Sequence, residues 1–250
     1  MRLTNDVLLV GGGPWGGFGV SADFDCHCYL LDGGGEFALI DCGGGTEAGM
    51  ARLFGNIEAE GLDPERVSQL LLTHYHADHA GGAARYRERL GLNVGISSDA
   101  ASALETADHE ATSFAAGQRL GHTPAGFVYP PCSVDARFED GDEFRIGRLK
   151  IRFIATPGHC AGHGSYLVDG GDAKYLFSGD AVFAYGKVAV LATADCELQA
   201  LLASVHRMAN EEFDALMPGH AAIILDGGRS HVLRAQETIQ RLNVPRNWFD

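Results

Sequence analysis

The feature that most constrains this chain is the run Thr73-His74-Tyr75-His76-Ala77-Asp78-His79, followed by Ala80-Gly81-Gly82. Three imidazoles and a carboxylate fall within six positions. They come directly after the largely apolar run Val67 to Leu72, which reads as a buried strand ending at Thr73. Side chains at i and i+2 point the same way at a strand end, so His74 and His76 can grip one metal ion. Asp78 and His79 lie where the chain turns and can face a second ion nearby. Neutral imidazole and carboxylate are ligand types that Zn²⁺ and Fe²⁺ accept. One isolated histidine is ordinarily a surface or satisfied core residue, but that reading does not account for four such donors together.

Three later segments repeat one grammar: a short strand, small or turn-forming residues, then one metal-capable side chain. Thr156-Pro157-Gly158-His159 follows Ile151 to Ala155, and Phe177-Ser178-Gly179-Asp180 follows Ala173 to Leu176. Met217-Pro218-Gly219-His220 follows Phe213 to Leu216. A rigid sheet presents ligands from several loops at one edge in this way.

With these pieces the chain resembles the metallo-β-lactamase-fold hydrolases, particularly their glyoxalase II and lactonase branches. The matching motifs are His74 to His79, Thr156 to His159, Ser178-Gly179-Asp180 and Pro218-Gly219-His220. Leu39-Ile40-Asp41-Cys42-Gly43 resembles the family's early Asp-containing turn. The resemblance implies an αββα sandwich, two mixed β-sheets with helices on the outer faces and metals at one edge. It implies that His74, His76 and His159 hold one metal and that Asp78, His79 and His220 hold the other, with Asp180 bridging. The ions would be two Zn²⁺ per chain, with iron or manganese as alternatives. Asp41 would accept a hydrogen bond from a ligand imidazole, although local sequence alone equally fits a turn residue ahead of glycines.

Composition and length bound the rest. The chain has 250 residues, no proline- or serine-rich linker and no repeat, and its ligand motifs run from His74 to His220. One domain over 1–250 is the simplest expectation. Nineteen Lys and Arg against 33 Asp and Glu give a net charge of −14, which argues against a nucleic-acid surface. No apolar stretch approaches a membrane span, and Val7 to Val10 is too short for a signal-peptide core, so a cytoplasmic protein acting on a small molecule is expected. The six cysteines form no disulfide pattern. Cys26-His27-Cys28 lacks a second matching pair and reads as strand.

Strands are expected at Val7–Val10, Cys28–Leu31 and Phe37–Asp41, with a helix from Glu47 to Gly61. Further helices are expected over Gly82–Leu90, Asp99–Ala107, Glu197–Asn210 and Ser230–Leu242, with an extended segment at Asn93–Ser97. Two stretches look like site walls. Gly11 to Gly19 lacks a following helix and carries Pro14, which rejects a phosphate loop. It reads as a mobile hairpin tip bearing Trp15 and Phe18, aromatics able to close over a substrate. Asp108 to Cys132 has little periodicity and reads as an insertion that shapes the pocket.

The residues point to hydrolysis of an ester, thioester or lactone. A hydroxide bridging two Zn²⁺ ions would form near neutral pH and attack a carbonyl polarised by one of them. Asp78, itself a ligand, would shuttle the proton, and no Gly-x-Ser-x-Gly nucleophile occurs. His163 reads as structural. β-Lactamases of this fold usually carry Cys or Ser where this chain has Asp180, which disfavours antibiotic cleavage. The chain beyond His220 is too short for glyoxalase II's glutathione-binding helical segment. The lactonase branch has a substrate-contacting tyrosine three positions after its bridging Asp. Phe183 stands there here, with Tyr185 two further on, and these two join Trp15 as expected substrate contacts. The alternatives are a persulfide dioxygenase-like protein, with one iron on His74, His159 and Asp180, and a non-catalytic metal-binding module.

Overall fold

The structure, a computed structural model, describes residues 1–14 and 19–249. The first half of the chain builds one mixed sheet from β1 (Val7–Gly11), β2 (Cys28–Asp32), β3 (Phe37–Ile40), β4 (Val67–Leu71), β5 (Asn93–Ser97) and β6 (Ala136–Phe138), in that spatial order. β1, β2 and β3 pair antiparallel, and β3 to β6 pair parallel. The second half builds another from β7 (Glu143–Ile146), β8 (Leu149–Ala155), β9 (Gly164–Asp169), β10 (Lys174–Gly179) and β11 (Ala215–Pro218). Its neighbours are antiparallel except β10 and β11, which are parallel.

Strand period decides what each face meets. In β1, Val7 and Leu9 join a core between the sheets with Ile151, Phe153, Tyr166 and Phe177. Leu8 and Val10 face the other way, into a cluster with Leu53, Ile57, Tyr86 and Leu104. Those four lie on α1 (Glu47–Glu58), α3 (Ala83–Leu90) and α4 (Ser98–Thr106), with the single turn α2 (Ala77–Ala80) between the first two. On the far side, Ile154, Leu176 and Leu216 pack against Leu201, Val205 and Val232. These belong to α6 (Leu198–Ala209) and α7 (Gly228–Gln240). Each fully buried aliphatic or aromatic side chain contributes about 1.5–3 kcal/mol. The layers are helix, sheet, sheet, helix, as expected.

Local differences have local causes. The helix begun at Glu47, capped by Thr46 accepting from the Gly49 N–H, ends at Glu58 rather than Gly61. Gly61, at φ 75°, takes the left-handed turn that follows. The Asp108–Cys132 stretch holds α5 (Phe114–Leu120), whose seven residues are too few to write a helical period in the sequence. The glycine-rich tip with Trp15 and Phe18 lies outside the described residues. No helix among those described is long and apolar enough to cross a membrane.

Candidate metal centre

The expected donors converge at the edge where both sheets end. His74, His76, Asp78 and His79 follow β4, whereas His159, Asp180 and His220 follow β8, β10 and β11. The ligand atoms of His74, His76 and His159 all lie within 4.8 Å of one another, and so do those of Asp78, His79 and His220. Asp180 joins the two groups, at 3.7 Å from His159 Nε2, 3.6 Å from His220 Nε2 and 3.4 Å from His79 Nε2. Backbone room explains two of the glycines. A Cβ on Gly219 would come 2.3 Å from Asp180 Oδ1, and one on Gly158, at φ 127°, would come 2.1 Å from the Leu201 nitrogen.

The hydrogen bonds fix which imidazole nitrogen carries a proton. Thr73 donates its hydroxyl to Asp41 Oδ2, so that hydroxyl accepts from His74 Nδ1 at 3.0 Å. His79 Nδ1 donates to Asp41 Oδ2 at 2.9 Å, and His159 Nδ1 donates to the Ala189 carbonyl at 3.1 Å. His76 is reversed: its Nε2 donates to Asp195 Oδ2 at 3.1 Å. Each neutral ring has one N–H. The lone pairs of His74 Nε2, His79 Nε2, His159 Nε2 and His76 Nδ1 therefore turn inward. His159 Nε2 and His76 Nδ1 face each other at 3.0 Å. His74 Nε2 and Asp180 Oδ1 are buried with no hydrogen-bond partner. Lone pairs this close repel unless a cation lies among them, so the donor set fits divalent metal ions.

Charge points the same way. Burial raises the pKa of the Asp180 carboxyl, but His220 and His79 outweigh it and hold the group well below the usual range. Burial likewise opposes ionisation of Asp78, yet His79 and His220 bring it down to about 2. Burial lowers His79, and the carboxylates Asp180, Asp78 and Asp41 overcome that and raise it. Burial, with other imidazoles adding to it, pushes His74 well down and takes His159 to about 4. Three carboxylates in one buried place call for positive charge, supplied either by a proton on His79 in the metal-free chain or by an ion that takes the lone pair of His79 Nε2 in its place.

His163 is engaged at both nitrogens: Nδ1 lies 2.9 Å from the Thr156 hydroxyl, and Nε2 accepts from the Asp180 backbone N–H at 3.1 Å. It holds the Asp180 turn and has no lone pair left for an ion. Cys26 and Cys28 are buried, with their thiols turned to backbone carbonyls.

The donors floor a cavity of about 1110 Å³, walled by Phe24, Phe114, Leu120, Val190, Leu191 and Trp248 among others. Neither Phe183 nor Tyr185 reaches it, contrary to expectation. Phe183 is fully buried behind Trp248, its ring stacked at 5.3 Å. Tyr185 is 61% exposed and packs on His231 of α7. Phe183 is extended, at φ −121°, and turns into the core, whereas Tyr185 sits in the left-handed region at φ 65° and turns out to α7. Trp248 takes the wall position instead. It is one of only two tryptophans in the sequence, and its distance from any motif hides it. Asp195 has no signal either, since it lies in an irregular loop without ligand spacing.

A family model described as the metallo-beta-lactamase superfamily matches residues 22–220. The chain belongs to the metallo-beta-lactamase superfamily. Among curated members, a hydroxyacylglutathione hydrolase of Rhodopseudomonas palustris is 31% identical over 54% of this chain and 41% of its own length. An atrochrysone carboxyl ACP thioesterase of Aspergillus fumigatus is 27% identical over 87% of this chain and 56% of its own. The chain thus spans about half the length of the curated superfamily relatives it matches. Among solved superfamily structures, a metallo-beta-lactamase of Cronobacter sakazakii aligns with a TM-score of 0.72 at 19% identity, covering 97% of this chain and 96% of that one. A family protein of Thermus thermophilus aligns with a TM-score of 0.72 at 24% identity, covering 96% and 81%.

Proposed function

We propose that this chain is a dinuclear metal-dependent hydrolase that cleaves thioesters or related esters and lactones with an apolar acyl part. The observation that carries the reading is a set of five imidazoles, four of them with a lone pair turned inward, and two carboxylates, divided into two donor groups that share Asp180. His74, His76 and His159 would hold one ion, and Asp78, His79 and His220 the other. The completeness of the second group favours two ions over the single iron of a dioxygenase.

Two divalent ions held there supply Lewis acidity toward a carbonyl oxygen and make a nearby water acidic. The protein's own groups do the rest. Asp41 accepts from Thr73 and His79 together, and so locks both donor groups to one carboxylate. His163 fixes the Asp180 backbone. Asp78 is 25% exposed at its side chain against 8% for Asp180, so it is the carboxylate able to take a proton from the attacking water and return it to the leaving group. Phe24, Phe114 and Trp248 exclude bulk water and bind the acyl part through buried area.

One relative is named a thioesterase and another a hydroxyacylglutathione hydrolase, which supports that bond class. Glutathione itself fits less well: no Lys or Arg is among the described residues lining the cavity, and glutathione carries two carboxylates. Zinc-loaded protein should contain close to two ions per chain and hydrolyse neutral acyl N-acetylcysteamine thioesters. Chelation should abolish turnover and zinc should restore it. A ratio that stays near one under metal-replete conditions, with oxygen consumed on a persulfide, would overturn the reading.

A further inference from the structure

We infer that Asp195 is the positioning residue of the His74–His76–His159 group, and that through Ser113 it joins this group to the cavity wall around α5; the inference rests on the dinuclear reading. Asp195 comes from the loop between β10 and α6, 119 positions from His76. Its Oδ2 accepts from His76 Nε2 at 3.1 Å and from the Tyr75 hydroxyl at 3.4 Å. Its Oδ1 accepts from the Ser113 hydroxyl. Both His76 and Asp195 are largely buried, with 12% and 7% of their side chains exposed.

The consequence is chemical. His76 is the donor among the inward-facing four that uses Nδ1, and a neutral imidazole keeps that lone pair only while its proton sits on Nε2. Asp195 is the acceptor that holds the proton there. Its charge also makes the ring a better donor, and outer partners of this kind typically change metal affinity 10–100-fold. Ser113 is the last residue before α5 and sits in the left-handed region at φ 53°. A serine keeps that backbone only where its surroundings over-determine it, and the bond to Asp195 is one such constraint. The wall that touches substrate and the ring that faces an ion thus share one carboxylate.

The decisive measurement is ¹⁵N-resolved NMR of the His76 ring in metal-free protein, together with zinc titration of the whole chain. Wild-type protein should show the Nε2–H tautomer. Asp195→Asn should lose that preference and bind one of its two ions about 10–100-fold more weakly. Asp195→Glu should recover part of both, and Ser113→Ala should weaken the same ion by about two- to fivefold. A His76 ring that keeps its tautomer in Asp195→Asn, with both ions bound as tightly as before, would overturn the inference. The ligand atoms of His76, Cys160 and Asp195 also lie within 4.8 Å of one another, so a third ion in wild type that Asp195→Asn abolishes would overturn it too, by making Asp195 and Cys160 ligands in their own right. Failure of wild-type protein to take up two ions would instead sink the functional reading, while the tautomer measurement would still decide the role of Asp195.

Discussion

Trp248 lies almost flat on His220, with ring centroids 5.1 Å apart and planes 21° from parallel, while its other side stacks on Phe183 at 5.3 Å. The chain around it is pinned: Trp248 N–H donates to the Val188 carbonyl at 2.7 Å, and Asn247 bonds both backbone groups of Val190. One indole therefore orients a candidate ligand and walls the cavity.

Trp248→Ala should accordingly raise KM for acyl thioesters more than it lowers kcat. Across acyl chains of increasing length, kcat/KM for the parent protein should climb, by up to ~0.8 kcal/mol per methylene buried. The variant should flatten that climb and lose about tenfold in kcat/KM on the longer members, or ~1.4 kcal/mol of barrier. A series already flat in the parent protein would refute an apolar acyl site.

His220→Ala should leave the fold intact and remove one of two ions. Its imidazole belongs to the Asp78 and His79 group and not to the His74, His76 and His159 group. Elemental analysis of metal-replete protein should fall from near two ions per chain to near one. An unchanged count would mean that the two groups do not each hold an ion.

Asp180→Asn replaces the carboxylate that lies within reach of His79, His159 and His220. Hydrolysis should drop by at least a hundredfold, roughly 2.7 kcal/mol, while thermal melting of the metal-free chain changes little. Activity surviving within about tenfold would remove Asp180 from its bridging role.

Metal-free protein should weaken as pH falls below neutrality. Burial, aided by the neighbouring His220, takes His27 down from 6.5 to about 4, and burial does the same to His159. Both are neutral when folded and gain protons on unfolding, so the unfolded chain binds more protons between these values. The stability they contribute is fully present above about pH 6.5 and is lost toward pH 4, with His27 alone worth on the order of 2 kcal/mol by pH 5. His79 acts oppositely, since its raised pKa stabilises the fold at low pH, while His74 and His163, lowered by burial, act in the same direction as His27 and His159. Urea midpoints at pH 7 and 5 should differ, and His27→Gln should narrow the gap.

How much of this is legible in the sequence follows from how local each signal is. The apolar run Val7–Val10 and the turn residues before His159, Asp180 and His220 are written within a few positions. Strand ends and the candidate donors can thus be read from them, whereas the division of His159 and His220 between two groups rests on the family resemblance. Asp195 meets His76 across 119 positions, and Trp248 reaches His220 only by folding back along Val188 to Val190. No period or spacing encodes such contacts. Phe183 and Tyr185 fail for a different reason. Phe183 stands at the expected distance from Asp180 but is covered by Trp248, a contact from far along the chain, and the left-handed backbone that turns Tyr185 outward leaves no mark in composition at a non-glycine.

Each donor group takes members from both sheets, His159 or His220 from one and the run His74 to His79 from the other. An ion held there acts as a rivet across the sandwich. Fragments severed between β6 and β7 would each carry an incomplete set, and two weak binders would become one tight one only on reassembly. Uptake of zinc by mixed fragments would then serve as a direct gauge of how well the two halves dock.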